Sequence, residues 1–218
     1  MQRALTCVLC LTTCAAFAPA GSMPSPSSPS APKLTVVLNV TGAFSPQAAI
    51  EMQHEAGGIL REAGLNLDWL PLSEAAKTAV QDLVVVKFNG ACVLDPESLD
   101  EGQADIHSDP LAFTYSTDGV VQPFSEVACD RVAAAVRSAL CSCDFPRADM
   151  LLGRALGRVV AHELVHILTR SQEHGRDGVA KAALSGKELI SRALSLSPFD
   201  LNRLRQILSQ HPLAHAAD

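Results

Sequence analysis

An α+β fold, with a mixed, mostly parallel sheet packed on helices, is what this 218-residue sequence predicts. Three observations carry the prediction. Short β-branched runs alternate with a helical stripe through the first half of the chain. A long proline-free stretch at 149–168 repeats its apolar residues at helical spacing. The segments that follow are helical again, so the strands come first and the long helix lies against them.

Taken in order, Leu34 to Val40 is β-branched and bounded by Pro32 and Gly42, which reads as a strand. Ser45-Pro46 opens a helix, because proline is tolerated at the first helical position. Its stripe is Ala49, Met52, Ala56, Ile59, Leu60 and Ala63, and Gly64 ends it. His54 on that helix suits a partly exposed polar position. Leu65 to Leu70 alternates as a second strand and is closed by Pro71; Leu83 to Phe88 is a third, ending at Asn89-Gly90. Residues 89–110 read as a loop punctuated by Asp95-Pro96, Gly102 and Asp109-Pro110. Ala112 to Ser116 and Phe124 to Cys129 are further strands, split by Asp118-Gly119, and Arg131 to Leu140 is a short helix. In the long helix Leu152, Leu156, Val159, Val160 and Leu164 form the stripe, with Asp149 placed to cap the start. Arg154 and Arg158 are expected away from that stripe. Lys187 to Leu194 and Pro198 to Leu208 complete the helical part.

The ends and the cysteines set the compartment. Residues 1–20 read as a signal peptide: Arg3 gives a positive start, Ala4 to Ala18 is apolar, and Ala18-Pro19-Ala20 is a small-residue cleavage site. The apolar run is short for a membrane span, and Thr13 before Cys14 argues against a lipoprotein. Residues 21–32 form a Pro/Ser-rich linker. The remaining 33–218, about 186 residues, suit a single domain with a sizeable core. An exported protein, periplasmic or secreted, is therefore expected, with no membrane span in the mature chain. A formal charge of −6 without a basic run argues against nucleic acid or an anionic membrane surface as a main partner. Of seven cysteines, Cys92, Cys129, Cys141 and Cys143 remain after the signal is removed. They allow two disulfides in three connectivities. Joining Cys141 to Cys143 across one residue is strained, so each is expected to pair elsewhere, for example with Cys92 and Cys129.

His162-Glu163-Leu164-Val165-His166 lies in the last turns of the long helix. Two histidines four apart project from one face, so both imidazoles can reach one metal ion, and the intervening glutamate is held beside it. A hydrolytic zinc site needs one more protein ligand. His174, after a short polar stretch, is preferred over Glu188 and Asp177, and Glu173 suits an exposed place. His211 and His215 repeat the spacing, but Pro212 intervenes and no glutamate follows the first. Tyr115 and His107 are the side chains to consider as oxyanion donors, with a structural role favoured for each.

The element order, with the motif helix and a third histidine just downstream, resembles the metzincin metalloproteases. More narrowly it is similar to exported bacterial proteins that carry a leucine-glycine lead into the motif, as in Leu151-Leu152-Gly153 and Leu156-Gly157 here. Their third histidine also stands eight residues after the second. The resemblance implies zinc ligation by His162, His166 and His174, with Glu163 as general base. Standard metzincins have glycine three residues after the second histidine and the third ligand three further on; this chain has Thr169 and Gln172 there. Thr is poor at a left-handed turn, so the helix is expected to run further and a longer loop to bring His174 round. The methionine found beneath the metal in that family has no counterpart near Gly178-Val179-Ala180.

The expected function is an exported zinc-dependent metalloprotease that hydrolyses peptide bonds in a peptide or protein substrate. A Zn2+-bound water would attack and Glu163 would move its proton. The alternative is a catalytically idle zinc-binding relative acting as a binding or scaffold module.

Overall fold

The computed structural model describes residues 31–77, 82–94 and 110–210. The signal at 1–20, most of the Pro/Ser linker, His107, His211 and His215 lie outside the described residues. Among the described residues five strands form one sheet: β1 (Lys33–Val40), β2 (Asn66–Pro71), β3 (Leu83–Asn89), β4 (Ala112–Thr117) and β5 (Val120–Ala128). Their order is β2-β1-β3-β5-β4. β1 runs parallel to β2 and β3, and β3 parallel to β5, while β4 returns antiparallel beside β5 at the sheet edge. The fold is thus α+β with a mostly parallel sheet. Asp118 and Gly119 both take positive φ, 54° and 76°, the left-handed pair that a two-residue hairpin with the sheet's twist requires.

Parallel β1 and β2 need a crossover, and α1 (Pro46–Glu62) supplies it. Ser45 caps it, its Oγ accepting the Ala48 N–H at 3.3 Å, and Gly64 exits at φ 87°. Its buried face runs through Ala48, Met52, Ala56, Ile59 and Leu60. Ala48 takes the place expected of Ala49, because the row spaced by four residues is what meets the next helix. α2 (Leu72–Ala75) is one turn, and α3 (Cys129–Ala139) leads through a 3-10 segment, Ser142–Arg147, into α4 (Ala148–Thr169). α5 (Gly186–Ile190) and α6 (Pro198–Gln210) follow. No helix among the described residues is long and apolar enough to cross a membrane.

α4 is the axis of the core. Leu152, Ala155, Leu156, Val160 and Leu164 are fully buried beside Val36, Val86 and Phe88 of the sheet and Met52 and Leu60 of α1. Gly153 and Gly157 let α1 and α4 approach closely. A Cβ on Gly153 would stand 2.5 Å from the Ala48 carbonyl oxygen, and one on Gly157 2.7 Å from that of Met52.

Four expectations are corrected. Asp149 does not cap α4; its carboxylate accepts the Ser45 hydroxyl at 2.7 Å and ties the starts of α1 and α4 together. Arg158 is not on an open face but fully buried, because α1 and α5 cover the side of α4 opposite the apolar stripe. Its guanidinium donates to Glu55 at 2.7 Å, to the Glu188 carbonyl at 2.7 Å and to Ser191 Oγ at 2.9 Å. Those last bonds close the end of α5, which stops at Ile190 instead of running to Leu194. Finally, Cys92 pairs with Cys129 (Cα–Cα 4.7 Å), and Cys141 stands at disulfide distance from Cys143 (Cα–Cα 5.4 Å). Cys92 follows β3 and Cys129 follows β5, and these strands are neighbours with Asn89 opposite Ala128. Both sulfurs are buried there, which leaves the 3-10 pair to each other.

Candidate metal centre

The final turns of α4 carry the motif toward β4 and the loop after the helix. The helix runs through Thr169, and Arg170 takes the left-handed conformation (φ 50°, ψ 39°) that stops it. The Ser171 N–H then reaches back to the His166 carbonyl at 3.1 Å and the Arg170 N–H to that of Ile167 at 3.2 Å, a Schellman closure built without glycine. The chain folds back from there and brings His174 to the two helical histidines. Ring centroids of His174 lie 5.2 Å from His162 and 4.8 Å from His166.

His162, His166 and His174 each offer a ring nitrogen within 4.8 Å of the others, a group that could hold a metal ion. Hydrogen bonding supports that use. His162 Nδ1 lies 2.8 Å from the Val179 carbonyl oxygen, and His166 Nδ1 lies 2.7 Å from that of Ser171. A carbonyl only accepts, so each Nδ1 must carry the hydrogen and each Nε2 is left with a lone pair. Those two Nε2 atoms face one another at 3.0 Å. Two lone pairs at that separation repel unless a cation lies between them. Nitrogens at about 2.0–2.1 Å from a tetrahedral zinc stand about 3.3 Å apart. The helical pair is near that spacing, and the exposed His174 stands beside it. Backbone carbonyls orient both helical ligands, as the outer shell of a metal site should.

Glu163 is buried, 4 % exposed, and its Oε2 accepts the Thr114 hydroxyl of β4 at 2.6 Å. Burial pushes its carboxyl up to about 7, against the opposing pull of the Thr114 bond. Burial also holds His162 down at about 4 and lowers His166. Both shifts favour the neutral imidazole, the form that binds a metal. A cavity of about 770 Å³ opens over this cluster. One wall is residues 110–114, along the sheet-edge strand, and another is 181–187; α3 contributes Ala135, Ser138 and Ala139, and α4 adds Val159.

The other candidates go elsewhere. Glu188 serves α5, capping it through Ser185 and pairing with Lys181 at 2.6 Å. Glu173 and Asp177 are exposed outside the histidine group. Tyr115 stacks against Phe113 and Phe124 and donates to Glu126 at 2.9 Å, outside the cavity lining. His54 is exposed on α1. Gly178-Val179-Ala180 does form a turn at the site, Gly178 at φ 69° with Val179 and Ala180 buried, and it presents a carbonyl to His162. Thr114 is the contact of this cluster that the sequence did not reveal; its signal there is a polar residue on the inward face of β4. Compared with known proteins, the chain matches no family model and no curated protein.

Proposed function

We propose that this protein is an exported zinc-dependent peptidase whose general base is Glu163. The observation that carries the reading is the convergence of three imidazoles beside a buried carboxyl, at the end of a cavity that runs along a sheet edge. Zinc, when bound, would supply Lewis acidity, lowering the pKa of a water and polarising the scissile carbonyl. His162, His166 and His174 would hold it. Glu163 takes the proton from the attacking water and passes it to the leaving amine. The Thr114 hydroxyl fixes one carboxylate oxygen, leaving the other for the proton. Among the described residues no strand pairs with the outer edge of β4, which is suited to an extended peptide added as a further strand, whose side chains would enter the cavity.

The test is hydrolysis of an unstructured protein and of peptide libraries by the purified zinc-loaded protein, beside Glu163→Gln. Activity should fall at least ~100-fold in the variant with zinc content unchanged. A second reading, an idle zinc-binding module, draws on the tight Thr114–Glu163 bond, which would lock the carboxyl away from a substrate. It requires zinc content equal to that of the wild type and no hydrolysis by either form.

A further inference from the structure

Cys141 and Cys143 differ from the other cysteine pair in both respects that govern exchange. They are exposed, whereas Cys92 and Cys129 are fully buried. Their sequence separation is 2, against 37 for the buried pair. Closing so short a loop takes little entropy from the unfolded chain, so folding does little to hold that bond shut. Exposure gives an external thiolate access to the sulfurs.

Asp144 adds a third observation. Its Oδ2 accepts the Cys141 N–H at 3.1 Å and lies 3.0 Å from Cys141 Sγ, while Arg147 donates to Oδ1 at 2.8 Å. In a disulfide the sulfur has no hydrogen to give. On reduction the Cys141 S–H becomes a donor to a carboxylate that Arg147 already orients. A hydrogen bond available only to the dithiol stabilises it relative to the disulfide, which makes the pair easier to reduce.

We propose that Cys141–Cys143 is a thiol-exchange site, opened by external thiols under conditions that leave Cys92–Cys129 closed. A thiolate of the reductant attacks one sulfur, and a new S–S bond forms as the Cys141–Cys143 bond breaks. The released sulfur takes up a proton. A second external thiol then attacks the mixed disulfide, leaves as the external disulfide, and frees the second cysteine. In balance, two electrons and two protons pass from two external thiols to the pair. The location gives the event a consequence. Cys141 comes two residues after Ala139, which lines the cavity, and the segment runs directly into α4 with its histidines. The pair therefore sits in the segment that joins the α3 wall of the cavity to the helix carrying the histidines.

The experiment equilibrates the purified protein with glutathione buffers of graded reduced-to-oxidised ratio, blocks thiols in acid and maps each pair by mass spectrometry, with circular dichroism in parallel. Cys141–Cys143 should open in a buffer at least tenfold less reducing than Cys92–Cys129 needs, about 30 mV for a two-electron couple, with the helical signal unchanged. Asp144→Ala should make the exposed pair several-fold harder to reduce and leave the buried pair unmoved. Opening of both bonds together with loss of the fold would overturn the proposal. So would free or metal-bound thiols at Cys141 and Cys143 in the untreated protein. No shift in Asp144→Ala would remove the role given to that carboxylate.

Discussion

His162 and Glu163 are adjacent on α4, and burial acts on them with opposite sign. In the metal-free protein His162 is held at about 4 against an unfolded value of 6.5. As pH falls through 6.5 the unfolded chain gains a proton that the folded one refuses, so stability is lost down to pH 4. Glu163 is raised to about 7 from 4.5; as pH falls from 7 to 4.5 the folded state takes the proton first and stability is gained. Each is worth about 3 kcal/mol at most, and the two largely cancel between pH 6.5 and 4.5. Glu163→Gln should therefore unmask a steep loss of stability over that window in chelator-treated protein, where these two groups leave the wild type nearly flat. Urea titrations at pH 7.5 and 4.5 measure it, and parallel curves for both proteins would refute the assignment. Arg158 offers a second residue-scale outcome. Glu55→Ala leaves a buried guanidinium without its carboxylate and should cost about 3 kcal/mol, while Glu55→Gln, which keeps an acceptor, should cost less; thermal melts separate them. Neither Arg158–Glu55 nor Thr114–Glu163 was legible in the sequence. The partners are 103 and 49 residues apart, and periodicity gives the face of an element, not what covers it.

At the scale of elements, local chemistry was read well and crossings poorly. Ser45-Pro46, Gly64 and Asp118-Gly119 act through backbone geometry that each residue carries with it. The His162–His166 spacing likewise follows from helical pitch alone. The path of the chain after the helix was legible in part: Thr169 stays helical, and the left-handed position passes to Arg170. The disulfide pairing needed the knowledge that β5 lies beside β3, which no strand states about itself. The α1–α4 contact is of the same kind. Alanine exceeds glycine in helix propensity by about 1 kcal/mol, so Gly157→Ala would stabilise a solitary helix. Here its Cβ meets Met52 O and Glu55 Cβ, each at 2.7 Å, and the two helices must separate. We expect a net loss of about 1–3 kcal/mol, read by thermal denaturation; an increase in melting temperature would show that the contact is looser than described.

For the whole molecule, the histidine group links α4, the loop after it and the turn at Val179 into one unit. An ion bound there favours the folded state over the unfolded chain, by about 4 kcal/mol at a thousandfold excess over Kd. Added zinc should raise the melting temperature, chelation should reverse the rise, and His174→Ala should diminish it. An unchanged melting curve across zinc concentrations would exclude the site. The fold class was legible because β-branched runs and helical stripes alternate in the order that a mostly parallel sheet demands. What sits over the sheet edge, and hence the cavity, was not, since its walls at 110–114 and 181–187 come from distant parts of the chain.

The acceptors that aim His162 and His166 are the main-chain oxygens of Val179 and Ser171. No exchange of side chain at 171 or 179 deletes them. Alanine at either position keeps the oxygen, so a scan would report lost packing at the buried Val179 and nothing of the tautomer that the two carbonyls set. Only a shift in chain length or in the peptide planes themselves can edit that instruction. Apart from His174, Gly178 and the buried Val179 and Ala180, the stretch from Arg170 to Ala180 should thus tolerate substitution far better than insertion or deletion. In a mutational library the orientation of the ligands would show itself as an intolerance of frame, not of letter.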